Sequence, residues 1–230
     1  MPQPGLHAIL ALAARRRLST RRWFALGLVF GSLLPDADGY PQAFGVLVQK
    51  MDAQAAEAMY HRTFTHTLFF PLAVVVLLYL ISLVRVGQAL RVFGFGLATG
   101  MALLHSVVDI LGWFDGVGLL WPVWSVNLWS WVTLPEVAAN LLRAGNFWAF
   151  AGYLAYLAAL ARKAGTDADY LPRVRRLIYA QLALAVVFTL LAVVLPLKTY
   201  NLPDGAAFLL LAFPNVLWVT WRMRETIEKA

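Results

Sequence analysis

The run from Leu177 to Leu197 carries no charged side chain in 21 residues. No other feature constrains the chain as much. A helix needs roughly 20 consecutive apolar residues to cross the hydrocarbon layer of a bilayer. His66 to Val84 repeats the pattern over 19 residues and Val92 to Val108 over 17. Composition agrees, with 61% hydrophobic residues, 13% charged ones and a mean hydropathy of +0.68; soluble domains sit nearer 45–50% apolar and about 25% charged. The expected fold class is all-α, a polytopic membrane helix bundle of about six to seven transmembrane or half-inserted helices. Helical segments are predicted at residues 4–17, 22–34, 66–84, 91–112, 144–162, 175–197 and 206–222, joined by long connections at 35–65 and 113–143. We expect one integral-membrane domain over 1–230, with a metal-site half at about 1–125 and a motif-free helical half at about 144–230. The chain has no cysteine, which excludes disulfides and thiolate metal sites. The first 14 residues place no basic segment ahead of their apolar run, so no cleavable signal peptide is expected.

The net charge of +7 is unevenly spread. Of 19 Lys and Arg residues, 15 fall in connections on one side of the predicted helices; Lys50, Arg62, Arg143 and Lys198 fall on the other. Basic residues accumulate on the cytoplasmic side of membrane proteins. The expected topology in the inner (plasma) membrane is therefore multi-pass, with the N-terminus outside and the C-terminus cytoplasmic. The basic runs read as topology signals and contacts to anionic lipid, and no nucleic-acid partner is expected. "WFDGVGLLWPVWSVNLWSW" (113–131) holds five Trp on the outer side. Trp collects at membrane interfaces, so this stretch reads as an interfacial or re-entrant segment that can also roof a lipid-facing site.

"FGSLLPDADGYP" (30–41) raises a chemical question, because Asp36 and Asp38 follow an apolar helix at once. Carboxylates at such a place are costly unless something binds them. The four histidines, His7, His61, His66 and His105, can join them. At 1.5 Å per residue His105 lies about 21 Å along its helix from Arg91, His66 about 28 Å from Arg85 and Asp36 about 21 Å from Arg22, so the groups reach one depth. His105 and Asp109 are four apart and share a helix face. Pro35 is expected to end its helix, so that Asp36 and Asp38 point the same way along an extended segment. His61 and His66 fit if His61 lies in a loop and Thr65 caps a helix that starts at His66. Imidazole and carboxylate suit zinc and, less selectively, manganese or iron. The expected metal ligands are His7, Asp36, Asp38, His61, His66, His105 and Asp109. One catalytic zinc takes three protein ligands, so seven point to two divalent ions, zinc first, with a bridging aspartate. Two such ions can clamp the attacking and leaving oxygens of a phosphoryl displacement.

With His7 ahead of them, "GSLLPDADG", "HRTFTHT" and "HSVVD" resemble the YdjM-type family of inner-membrane metal-dependent hydrolases, also described as LexA-binding and membrane-associated. The order of His, DxD, HRxxTH and HxxxD is also similar to zinc-dependent phospholipase C. The resemblance covers about residues 5–125. It implies a metal-bound phosphoesterase or related hydrolase. Thr63 stands where the family usually has Gly, Thr67 where it has Ser, and Gly112 where Thr is common; none of these removes a ligand.

The function expected is metal-dependent hydrolysis of a phosphoester in a lipid or lipid-linked substrate, with membrane lipids as partners. Arg62, the one basic residue inside the ligand motifs, is read as a phosphate clamp, or alternatively as an arginine snorkelling to the interface. Asp38 is read as a catalytic base as well as a ligand. Asp115 is read as a loop carboxylate and Glu136 as a helix start after Pro135. The rival reading is a secondary transporter or an ion or proton channel using the same intramembrane cluster; the placing of all such polar groups in the first half argues against it. A third reading is a scaffold with a closed structural metal site, for which seven ligands are too many.

Overall fold

Local sequence makes this chain helical almost throughout. The computed structural model describes residues 3–61, 63–84, 87–112, 114 and 116–229. The helices are α1 (Pro4–Leu18), α2 (Phe24–Leu33), α3 (Gly39–Leu47), α4 (Ala53–Tyr60), α5 (Phe69–Val84), α6 (Gly87–Gly112), α7 (Glu136–Ala164), α8 (Leu171–Val194), α9 (Leu197–Arg222) and α10 (Arg224–Lys229). Among the described residues α6, α7, α8 and α9 are long and apolar enough to cross a membrane, and α5 is a shorter apolar helix. Leu80 and Leu83 on α5, with Leu190 and Val193 on α8, are more than half exposed. Such apolar surface belongs against lipid rather than water.

The chain divides into two compact units, residues 15–133 and residues 1–14 with 134–230. In the first-named unit α2 runs against α6. Gly27 and Gly31 on α2, and Gly96 and Gly100 on α6, each form a small-x-x-x-small pair that lets two backbones meet. A Cβ on Gly31 would lie 1.9 Å from the Leu97 carbonyl oxygen, and one on Gly100 2.2 Å from that of Leu28. Only a residue without Cβ fits there. Phe24 to Leu33 is almost wholly buried, which explains its ten-residue length: a helix that is apolar all round is a core element.

Two expectations about the connections need correction. Residues 35–65 hold α3 and α4, and Pro35 opens a 3₁₀ turn, Leu34–Asp38, instead of an extended segment. Residues 113–143 hold a two-stranded antiparallel hairpin, β1 (Val117–Leu120) and β2 (Trp124–Val126), before α7 begins at Glu136. The β-branched and aromatic residues there favour strand over helix. The Leu119 carbonyl accepts the Leu68 amide at 2.9 Å, which ties the hairpin to the chain two residues past His66.

The other unit is built on α7 and α8. Phe147 stacks on Phe188, whose edge meets Tyr200. The α7 helix ends at Gly165, whose φ of +65° suits glycine. Buried polar groups are not confined to the first half of the chain, as the sequence reading had them. Asn140, Asn146, Gln181 and Asp204 are buried in this unit, and the Tyr200 hydroxyl donates to Asp204 at 3.2 Å.

Candidate metal centre

Four backbone features converge on one buried cluster in the unit of residues 15–133. The α2–α6 contact brings the end of α2 against residues 100–106, where α6 opens into a π-turn. Such wide turns recur at functional sites, and His105 sits on this one. The Ser106 hydroxyl donates towards the His66 and Met101 carbonyls at 3.1 Å each, which holds the His66 segment against α6. The Leu34–Asp38 turn and a second 3₁₀ turn, Phe64–His66, supply the rest.

His66 Nε2 and His105 Nε2 lie 2.9 Å apart, both fully buried. Asp36 Oδ1 is 3.9 Å from the first and 3.7 Å from the second; Asp109 Oδ2 is 3.5 Å and 3.6 Å away. Four donors around one tetrahedral zinc, at bonds near 2.0 Å, would stand about 3.3 Å from one another. His66, His105 and Asp109 lie close enough together to hold one ion, and Asp36 Oδ1 stands beside both imidazoles.

The proton positions sharpen this. His105 Nδ1 faces the Ser32 carbonyl at 2.9 Å, which can only accept, so Nδ1 carries the hydrogen. The Thr65 hydroxyl donates to Asp38 Oδ2 at 3.1 Å and accepts from His66 Nδ1 at 3.0 Å. Both Nδ1 atoms are then donors, and both Nε2 lone pairs point into the same space. Two lone pairs at 2.9 Å between two carboxylates repel unless a cation lies among them.

Asp38 lies behind the imidazoles. Its Oδ1 accepts His61 Nδ1 at 2.8 Å and its Oδ2 stands 3.3 Å from His66 Nδ1. Burial pushes its pKa up, but His61 and then His66 outweigh that and hold it well below the usual carboxylate range. The 3₁₀ turn separates the two aspartates. At three residues per turn, positions two apart differ by about 120° in direction. Asp36 thus addresses the Nε2 side of His66 and Asp38 the Nδ1 side.

Six of the seven expected ligands, Asp36, Asp38, His61, His66, His105 and Asp109, meet within this unit. His7 is buried on α1 and belongs to the other unit. Arg62 and Asp115 lie outside the described residues. His61 follows α4 directly, and Thr65 serves Asp38 and His66 instead of capping a helix. The helix-start role falls to Thr67, whose hydroxyl accepts the Phe70 amide at 3.2 Å. Sequence reasoning missed Ser32, Thr65 and Ser106 as supports. The paired Gly-x-x-x-Gly spacings, legible in the sequence, were the signal for the contact that aligns Ser32 with His105.

A family model described as YdjM inner membrane protein matches residues 4–201, extending well beyond the motifs at 5–125. Comparison with curated proteins and with solved structures gives no match.

Proposed function

The chain belongs to the YdjM inner membrane protein family, and on that footing we propose a membrane-embedded, metal-dependent hydrolase, a phosphoesterase acting on a lipid or lipid-linked phosphate. One observation carries this reading: the Nε2 lone pairs of His66 and His105 face each other at 2.9 Å beside Asp36 and Asp109. Those four side chains would hold the ion. When bound, it supplies Lewis acidity towards a phosphoryl oxygen and a nucleophile active near neutral pH.

The chain's own groups do the rest. Ser32 O and Thr65 keep hydrogens on the Nδ1 atoms, so the imidazoles stay in the tautomer that presents Nε2. Asp38 orients His61 and His66 from behind and is a positioning residue in this reading. A second ion would draw on His61; zinc is the first choice for both, with manganese or iron next. Arg62 would steady the substrate phosphate with its bidentate fork.

The test is a panel of phospholipid and isoprenoid-phosphate substrates in liposomes, with wild type and Arg62→Lys at equal metal loading. Turnover by wild type is expected. A loss of roughly 30- to 1,000-fold in the variant corresponds to about 2–4 kcal/mol of transition-state stabilisation. No turnover with metal bound would remove the hydrolase reading.

A second reading has an observation of its own. Asp204 is buried on α9, a helix of membrane length, and buried carboxylates in such helices mark ion paths. A transporter would move ions or protons in the same liposomes and form no product.

A further inference from the structure

A groove of about 320 Å³ runs between α5 and α6. Leu68, Leu72 and Val75 line one wall; Phe95, Thr99 and Leu103 line the other. Thr99 spends its hydroxyl on the Phe95 carbonyl at 2.8 Å, so the lining presents hydrocarbon. The volume falls within the range of small-molecule sites, about 300–1,000 Å³. From Phe95 to Leu103 the groove follows α6 for about 12 Å.

Its two ends differ. At one, Leu68 follows His66 by two residues and Leu103 precedes His105 by two. The Leu68 amide is held there by the aromatic hairpin through Leu119. At the other, Val75 and Phe95 lie two turns away along apolar helices. The helix that forms one wall is long and apolar enough to cross a membrane, so the medium against the groove is bilayer hydrocarbon, continuous with the lipid-facing surface of α5.

We propose that this groove holds the hydrocarbon chain of a phospholipid whose headgroup lies at the end of the groove nearest the His66 and His105 segments. The inference rests on the hydrolase reading and narrows it to substrates that enter sideways from the bilayer. Lipid tails are as apolar as the groove, so entry from the membrane brings no hydrophobic gain. What the groove supplies is register: a chain lying along it fixes how far its headgroup stands from the cluster. A small misplacement of reacting groups costs orders of magnitude in rate.

The experiment uses the full chain, metal-loaded, in nanodiscs containing phosphatidylglycerol with a diazirine on one acyl chain, either next to the glycerol or at the chain end. Cross-linked sites are mapped by mass spectrometry. The glycerol-proximal probe is expected to mark Leu68 and Leu103, and the chain-end probe Val75 and Phe95, each severalfold above Leu80 and Leu83 on the same lipid-facing helix. Ala98→Trp, which fills the groove, should erase that excess. It should also lower turnover of a long-chain phospholipid by about tenfold or more, with a short-chain water-soluble analogue unaffected. Labelling that is even around the lipid-facing surface, or the same for both probes, overturns the proposal without need of the variant. Loss of both substrates alike in a variant that still binds metal also overturns it. The ordered labelling pattern with no hydrolysis by wild type would sink the hydrolase reading and leave the lipid site standing.

Discussion

His66 Nε2 and His105 Nε2 stand 2.9 Å apart while the Nδ1 atoms of both rings are committed elsewhere. Neutral imidazoles cannot relieve this contact by exchanging tautomers, because Ser32 O and the Thr65–Asp38 pair hold the hydrogens on the far side. A cation between them resolves it, as a proton or as a metal.

A metal and a proton differ in what a chelator does. Purified protein is expected to carry zinc, manganese or iron, measured by elemental analysis. Stripping it with a chelator should lower Tm by about 5–10 °C, since a ligand at 100 times its Kd stabilises by about 2.7 kcal/mol. His105→Ala should remove the metal and the chelator effect together. Protein that stays metal-free after incubation with all three ions, with Tm indifferent to chelator, would leave only the proton.

Asp38 separates orienting from ligating. If it acts through the Nδ1 atoms of His61 and His66, Asp38→Asn should retain full metal stoichiometry at saturation and weaken affinity by about 10–100-fold, read from competition with a chelator of known affinity. Asp36→Asn and Asp109→Asn should lower the stoichiometry itself. Complete loss of metal in Asp38→Asn would return that residue to the ligand role its sequence position suggested.

The α2–α6 contact has no room for a side chain. Gly31→Leu must push Leu97 backbone away, and overpacking of this kind costs about 3 kcal/mol. For a chain of this size that is about 6–12 °C in Tm, measured in detergent. Metal affinity should fall with it, because Ser32 would no longer meet His105. Gly112→Ala, which meets nothing within 4 Å, is the control and should change little. A Gly31→Leu protein with unaltered Tm and metal content would show that this crossing does not hold the site.

Topology can be read with single cysteines, since the chain has none of its own. Gln49 and Ala164 are both exposed. Gln49→Cys should react with an impermeant thiol reagent in intact cells, and Ala164→Cys only after permeabilisation. The reverse result would turn the chain over in the membrane and move the cluster to the cytoplasmic half.

The chain's own order of residues determined a good deal. Uncharged runs of membrane length announced a helical membrane protein, because a bilayer demands internally satisfied backbone. The i,i+4 spacing put His105 and Asp109 on one face, since that relation depends only on helix geometry. The DxD and HRxxTH spacings brought Asp36, Asp38, His61 and His66 into consideration, and these four meet in one unit. Tertiary structure decided how those side chains divide their work. Pro35 suggested an extended segment with Asp36 and Asp38 pointing the same way, whereas the chain forms a 3₁₀ turn, Leu34–Asp38, that sends them apart. Which nitrogen each histidine presents depends on Ser32 O, 73 residues from His105, and on Asp38, far from His66 in sequence. The Ser32–His105 hydrogen bond is made where four glycines let α2 and α6 close to backbone contact. Spacing along a chain records what local geometry imposes, whereas the direction of a lone pair is set by partners that only folding brings near.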